Sequence, residues 1–320
     1  MKRGSNYNNG FLGGKGSNYL TVDSPGLLSV DKHYYAGAKY LLDNISNTSL
    51  VNAASYRRLR GAYTGNIAQM RRSTDSSVLD IGSNGEHFDV STMNTFIGSV
   101  TGYTRILYSQ AGLGSSYDFV QGTNTKQPIV RLSGTNYTIG GRVCMMGVPG
   151  NDTGLATSNI SNLITGTDFT CIMVASVGAH NNYARFFSSQ SAGGSNDYGT
   201  GGCSITQAAT NNTIAFTGGT NNYCYPNGTS GNVSGNVVFT VFTDSAGATV
   251  RVNGAMQRTD AFVTTHNSYA LGIMNQVASG GGAALNQLVA EVIVYKRKLT
   301  LAEVQYVERN MGAYWGISVA

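Results

Sequence analysis

Between 142 and 277 the apolar residues fall in short runs at 169–177, 185–188, 203–206, 214–217, 237–243, 248–252 and 270–274, with Gly- and Asn-rich segments between them. Runs of this length, bounded by turn formers, predict strands. The run at 169–177 is continuous, the pattern of a core strand. Residues 244–247, Asp-Ser-Ala-Gly, join two runs as a hairpin, and Asn253-Gly254 predicts the next sharp turn. From 288 the period changes. Leu288, Val289, Val292, Ile293, Val294 and Tyr295 predict a buried strand. Lys296, Arg297 and Lys298 return the chain to water, and Thr300 with Glu303 forms a capping box. Leu301, Val304, Val307 and Met311 then make one apolar stripe, predicting a helix that ends at Gly312.

The front of the chain reads differently. Ala54, Tyr56, Leu59 and Tyr63 predict a short helix or turn with an arginine face, and 67–72 alternate like a strand. Asp89 predicts the cap of a helix over 90–97 stopped by Gly98, and 103–108 predict a second strand. Residues 1–30 are polar and rich in Gly and Asn, the composition of a flexible arm. A polar terminus gains order when something ties it down. Lys2, Arg3, Tyr7, Phe11 and Tyr19 are therefore expected to anchor the arm on a partner surface, another subunit or an assembly. The division expected is 1–45 for arm and connector, 46–140 for a mixed front region and 141–320 for the strand-rich part, with 46–320 one structural unit.

Residues 290–317 resemble the C-terminal signature of the concanavalin A-like, or laminin-G-like, lectin/glucanase superfamily. In that signature a strand of the type AEVIVYxRxL leads to LTxAExxxVExxLxxxYGI, and Tyr314, Trp315, Gly316 and Ile317 close it here. The resemblance implies an all-β, concanavalin A-like jelly-roll β-sandwich with a short mixed α/β front region, one C-terminal helix and an extended N-terminal arm. It says little of function, because one fold hosts many activities. A second resemblance lies further forward. Ala54, Tyr56, Arg57, Leu59, Arg60 and Ala62 to Gly65, then Arg71, Arg72, Ser73, Asp75, Asp80, Ile81, Gly82 and later Gln127 to Val130, resemble the opening of the catalytic module of fungal-type α-L-arabinofuranosidases. A similar stretch recurs in bacteriophage structural proteins. The chain departs from the pattern at Ser109, where an Asp is expected.

Composition narrows the classes. The 320 residues include 42 Gly and only 4 Pro, and 12% are charged, so Asn, Ser and Thr carry the surface polarity. The net charge of +5 arises mainly from Arg57, Arg58, Arg60, Arg71 and Arg72, a short basic region without the broad face of a nucleic-acid binder. Cys144, Cys171, Cys203 and Cys224 lack metal-type spacing, and Cys171 reads as a small core residue. The opening MKRGSNYNNGFLGG lacks the apolar run of a signal peptide, and no segment reaches membrane-spanning length. Assembly into a virus particle is expected to place such a protein outside a cell.

Retaining glycosidases need two carboxylates about 5–5.5 Å apart. The resemblance places them near 199–206 and 272–279, and neither stretch contains one; Asp197 alone stands close to the first. Glu291 reads as structural. No cofactor is expected: Asp152 and Asp197 could offer oxygens to Ca²⁺, but both read more simply as Asx-turns. His33, His87, His180 and His266 are far apart and read as surface residues. Amides beside aromatic rings suit sugar hydroxyls and sugar C–H faces, which makes Asn181, Tyr183, Asp197, Tyr198, Tyr223 and Tyr225 the carbohydrate-binding candidates. The function expected is a non-enzymatic virion structural protein of a bacteriophage, a homo-oligomer held by residues 1–30 and able to touch surface glycans. The alternatives are a glycan hydrolase of the arabinofuranosidase type and a stand-alone lectin.

Overall fold

A computed structural model of the chain describes residues 22–24, 27–28, 39–148, 152–178, 184–191, 197, 201–207, 214–219, 222–226, 233–275 and 287–320. The chain divides into two units, Met1–Lys39 and Tyr40–Ala320. In the first, an antiparallel pair joins Val22–Ser24 to Leu27–Leu28. The anchoring candidates Lys2, Arg3, Tyr7, Phe11 and Tyr19 lie outside the described residues.

The second unit is an all-β sandwich. Its central strand, Phe169–Val177, pairs antiparallel with Gly235–Asp244 on one side and Leu288–Tyr295 on the other. Gly247–Val252 and Ala255–Asp260 extend this sheet at one edge, and Leu50–Ser55 extends it at the other. The second sheet runs Tyr223–Cys224, Ile214–Gly218, Cys203–Gln207, Arg185–Ser191, His266–Ile273, again antiparallel. The sheets meet where the Phe169 ring stacks on Phe187 and Phe216, centroids 6.1 and 6.4 Å apart. The central strand is apolar except for Thr170 and Ser176 because both faces are covered, one by the second sheet and one by the C-terminal helix Leu301–Trp315. Each large side chain buried there stabilises by roughly 1.5–3 kcal/mol.

Local chemistry sets the turns. Asp244 Oδ1 accepts from the backbone N–H groups of Ala246 (2.7 Å) and Gly247 (3.2 Å), closing the hairpin. Asn253 and Gly254 both have left-handed φ, 49° and 82°, the requirement of the two-residue turn that follows. The helix Val90–Ile97 begins at Asp89, which accepts from Thr92 N, and ends at Gly98. In the front region Ala68–Arg72 lies between Val78–Ile81 and Gly102–Leu107.

Two expectations change here. Ala54 belongs to the strand Leu50–Ser55 rather than to a helix or turn. All six residues of that strand are buried, so its alternation is invisible in the sequence. Gly312 does not end the C-terminal helix, which continues to Trp315 and stops at Gly316 in the left-handed conformation. Gly312 is needed for packing, since a Cβ there would stand 2.7 Å from the Ile317 carbonyl oxygen. The capping box is formed as expected, with Thr300 Oγ1 accepting from Glu303 N and Glu303 reaching back. Thr300→Ala is expected to cost about 1 kcal/mol, measured by urea denaturation; an unchanged midpoint would show that the helix end is held by packing alone.

A buried ion pair ties the front to the back. The Glu291 carboxylate accepts from Arg57 Nε (2.8 Å), Arg57 Nη2 (2.9 Å), Ser55 Oγ (2.9 Å) and Trp315 Nε1 (2.8 Å). Arg57 Nη1 donates further to Glu86 and Asn310, and the Tyr314 ring lies 4.3 Å from the guanidinium carbon. Arg57 is fully buried, so the arginine face expected from the sequence turns partly inward. A second buried pair, Arg251 with Glu308, fixes the hairpin edge to the same helix. The four cysteines are free and buried, and burial pushes the Cys203 thiol up to about 12.

His266 corrects the expectation that all four histidines are on the surface. It is buried in the strand His266–Ile273, 5.1 Å from the Phe169 ring. Thr243 Oγ1 donates to the Thr167 carbonyl, so it can only accept from His266 Nε2 at 3.1 Å. That fixes the proton on Nε2 and leaves Nδ1 buried without a partner. Protonating Nδ1 would bury a charged N–H, and burial lowers the pKa from 6.5 to about 4. The unfolded chain therefore binds the proton first. Stability is full above pH 6.5 and falls through the window down to about 4, by about 3 kcal/mol. His266→Phe is expected to flatten this limb of the pH–stability curve; a limb of wild-type slope in the variant would assign it to other groups.

Candidate functional site: the polar row of the second sheet

The register of the second sheet sets Gly272, Ser188, Ser204, Thr217 and Tyr223 side by side in one row. The neighbouring row is Ile273, Phe187, Ile205, Phe216 and Cys224. Successive residues of a strand face opposite ways. Since Phe187 and Phe216 pack on Phe169, the hydroxyl row faces away from the first sheet. Ser204 and Thr217 hydroxyls are 2.5 Å apart, and Ser188 Oγ donates to the Asn275 carbonyl at 2.9 Å.

Arg185 joins this face because the register is irregular between Arg185 and Phe187. The irregularity pairs Arg185 with Thr206, and Arg185 Nη1 donates to Thr206 Oγ1 at 3.0 Å. The guanidinium also holds Asp197 in a bidentate pair, Nε to Oδ2 at 2.7 Å and Nη2 to Oδ1 at 2.9 Å, with Asp197 fully buried. The chain approaches the sheet closely there: a Cβ on Gly202 would stand 2.9 Å from the Asp197 carbonyl oxygen. At the other end of the row the partly exposed rings of Tyr223 and Tyr225 stack, centroids 5.5 Å apart and planes 11° from parallel.

Three of the six carbohydrate-binding candidates, Asp197, Tyr223 and Tyr225, are described, and they belong to this sheet and its flank. Asn181, Tyr183 and Tyr198 lie outside the described residues. Arg185, Ser188, Ser204 and Thr217 were not among the sequence candidates. A serine or threonine in each strand was the available signal, but it acquires meaning only once register aligns the strands. The two acids considered for Ca²⁺ each face a cation instead, Asp197 facing Arg185 and Asp152 facing Lys126 at 3.6 Å. Among the described residues no group of three His, Cys, Asp or Glu side chains converges on a metal-sized site, and no helix is long and apolar enough to cross a membrane.

No protein-family model matches the chain, and no curated protein matches it in sequence. Solved structures do match in shape. An arabinofuranosidase complexed with arabinofuranosyl-α-1,2-xylobiose is similar over 83% of this chain and 63% of its own, at 18% identity and a TM-score of 0.61. A GH54 α-L-arabinofuranosidase soaked with a cyclic sulfate inhibitor gives the same coverage and identity and a TM-score of 0.60. A mutant of GH54 α-L-arabinofuranosidase soaked with 4-nitrophenyl α-L-arabinofuranoside shares 19% identity at a TM-score of 0.59. The chain thus spans 63% of the length of these enzymes. The class of fold is a β-sandwich of the kind found in carbohydrate-active proteins. This corrects the expectation of a non-enzymatic protein: the frame that fills most of the chain is one on which glycoside hydrolases are built.

Proposed function

We propose that the protein is a carbohydrate-active sandwich that binds and hydrolyses a neutral glycan of the arabinofuranosyl type along the polar row. The single observation that carries this reading is the row itself, hydroxyls in register between a buried, arginine-held carboxylate and a partly exposed tyrosine stack. Ser188, Ser204 and Thr217 are buried and already paired, so a glycan reaches their hydroxyls only by replacing those bonds, while the partly exposed tyrosine face suits a sugar's C–H face. The fold shared with arabinofuranosidases supports the substrate class.

Asp197 is the carboxylate assigned to the reacting bond. Glycosidases ordinarily set a second carboxylate opposite the first. The sequence carries no acid between 199 and 206 or between 272 and 286, so the row's other ionisable group is Tyr223. Attachment to a phage particle is not supported by these likenesses and does not enter this reading. Docking of residues 1–30 on a partner surface stays a proposal drawn from their composition.

Titration with arabino-oligosaccharides tests the binding half of the reading. Tyr223→Ala is expected to weaken affinity by about 2–10-fold with an unchanged melting temperature, the value of one aromatic stacking contact. Equal affinity in variant and wild type would remove the tyrosine stack from the site.

A further inference from the structure

The front region carries a buried charge that the polar row does not use. Arg71, in the strand Ala68–Arg72, is 6% exposed. Its Nε donates to Gln127 Oε1 at 2.6 Å, Nη2 to the Asn124 carbonyl at 3.0 Å and Nη1 to the Arg72 carbonyl at 3.4 Å. All three acceptors are neutral. Among the described residues no carboxylate pairs with it, while the acids nearby are engaged: Asp75 with Arg72 and Asp152 with Lys126. The contrast with Arg57, Arg185 and Arg251 is direct, since each of those buried guanidinium groups has a carboxylate. A buried charge without a counter-charge is costly unless a ligand supplies one.

The space for that ligand is present. A depression of about 410 Å³ lies elsewhere, by Arg60, but the one at Arg71 measures about 360 Å³ and is walled by Ser73, Ser76, Tyr103, Asn124 and Gln127 among others. The Tyr103 ring lies 4.2 Å from the guanidinium carbon and forms one flat wall. The guanidinium has five N–H donors in a fork that matches an oxyanion, and it spends them in part on the contacts above and on a hydrogen bond with Tyr103. The weakest of those contacts, Nη1 to the Arg72 carbonyl at 3.4 Å, is the one an incoming anion displaces most easily.

We propose that this pocket is an oxyanion site, Arg71 binding the anionic group while Asn124, Ser73 and Ser76 hold the hydroxyls of the molecule that bears it and Tyr103 its flat face. The chemistry is that of a carboxylate on an acidic sugar, which would make the pocket a second glycan contact separate from the polar row. A free inorganic oxyanion shares the charged part of that chemistry and none of the rest.

The test titrates the full chain with sodium glucuronate, inorganic phosphate and glucose at matched ionic strength, followed by NMR. Glucuronate is expected to bind about 10-fold or more tightly than glucose. Tighter binding of glucuronate than of phosphate supports use of the sugar as well as the charge, and equal binding supports an oxyanion site that reads charge alone. Arg71→Met is expected to abolish the preference over glucose. Asn124→Asp, an exposed and nearly isosteric change, is expected to weaken glucuronate about 10-fold by placing a fixed carboxylate in the pocket, without loss of melting temperature. Glucuronate binding no tighter than glucose, or wild-type affinity in both variants, would overturn the proposal. None of these readouts involves turnover, so their failure is distinct from failure of the hydrolase reading.

Discussion

Glu291→Ala is expected to lose about 3–5 kcal/mol of stability, the cost of breaking a buried ion pair by removing one partner. The substitution leaves three groups without their acceptor: the Arg57 guanidinium, the Trp315 indole N–H and the Ser55 hydroxyl. Arg57 would keep Glu86 and Asn310 on Nη1, but its Nε and Nη2 would face a void. Glu291→Gln retains the shape and one acceptor oxygen and should cost clearly less. The ordering matters more than either value, because it separates the charge from the packing. Equilibrium unfolding in urea with an unchanged slope measures both. A Glu291→Ala protein within about 1 kcal/mol of wild type would mean that the last strand and the front motif are held together by apolar contacts alone.

Asp197→Ala is expected to reduce turnover of an arabinofuranoside by about 10²–10⁴-fold, the range for removing a group that handles a proton or bond in the transition state. The same substitution takes the carboxylate from the buried Arg185 guanidinium, so stability falls too. Two measurements keep the effects apart. The melting temperature reports the structural loss, and added formate reports the chemical one, because a small carboxylate can occupy the space that the side chain vacated. Partial recovery of turnover with formate is the expected result. A variant that melts near wild type and turns over substrate at the wild-type rate would remove Asp197 from the chemistry.

The parts of this fold that were legible in the chain are those whose local chemistry agrees with their tertiary setting. The helix Val90–Ile97 with Asp89 and Gly98 at its ends, the hairpin around Asp244 to Gly247 and the Thr300–Glu303 box all stand where pattern and capping residues put them. The strand Phe169–Val177 was readable because two covered faces make a continuous apolar run. The same physics hid Leu50–Ser55, whose polar members Asn52 and Ser55 are buried beside apolar ones and break both periods. His266 sits in a strand that begins with polar residues, so nothing local marks it as interior.

The site was harder to read than the fold. Asp197 and Tyr223 could be nominated as residue types, but they are 26 positions apart and stand at opposite ends of a row set by the register that pairs Ser188 with Ser204 and Ser204 with Thr217. Arg185 reaches that face through an irregularity in the pairing, a feature that shifts a side chain from one face to the other and leaves no mark in composition. Arg71 and Arg57 look alike in the sequence as members of one basic motif, yet one is neutralised by Glu291 and the other faces a pocket.

Release of nitrophenol from 4-nitrophenyl α-L-arabinofuranoside by the wild-type protein tests the central claim most directly. The account predicts enzyme-dependent release that scales with protein concentration and is lost in Asp197→Ala. Binding of arabino-oligosaccharides with no release from this or any arabinofuranosyl substrate would contradict it.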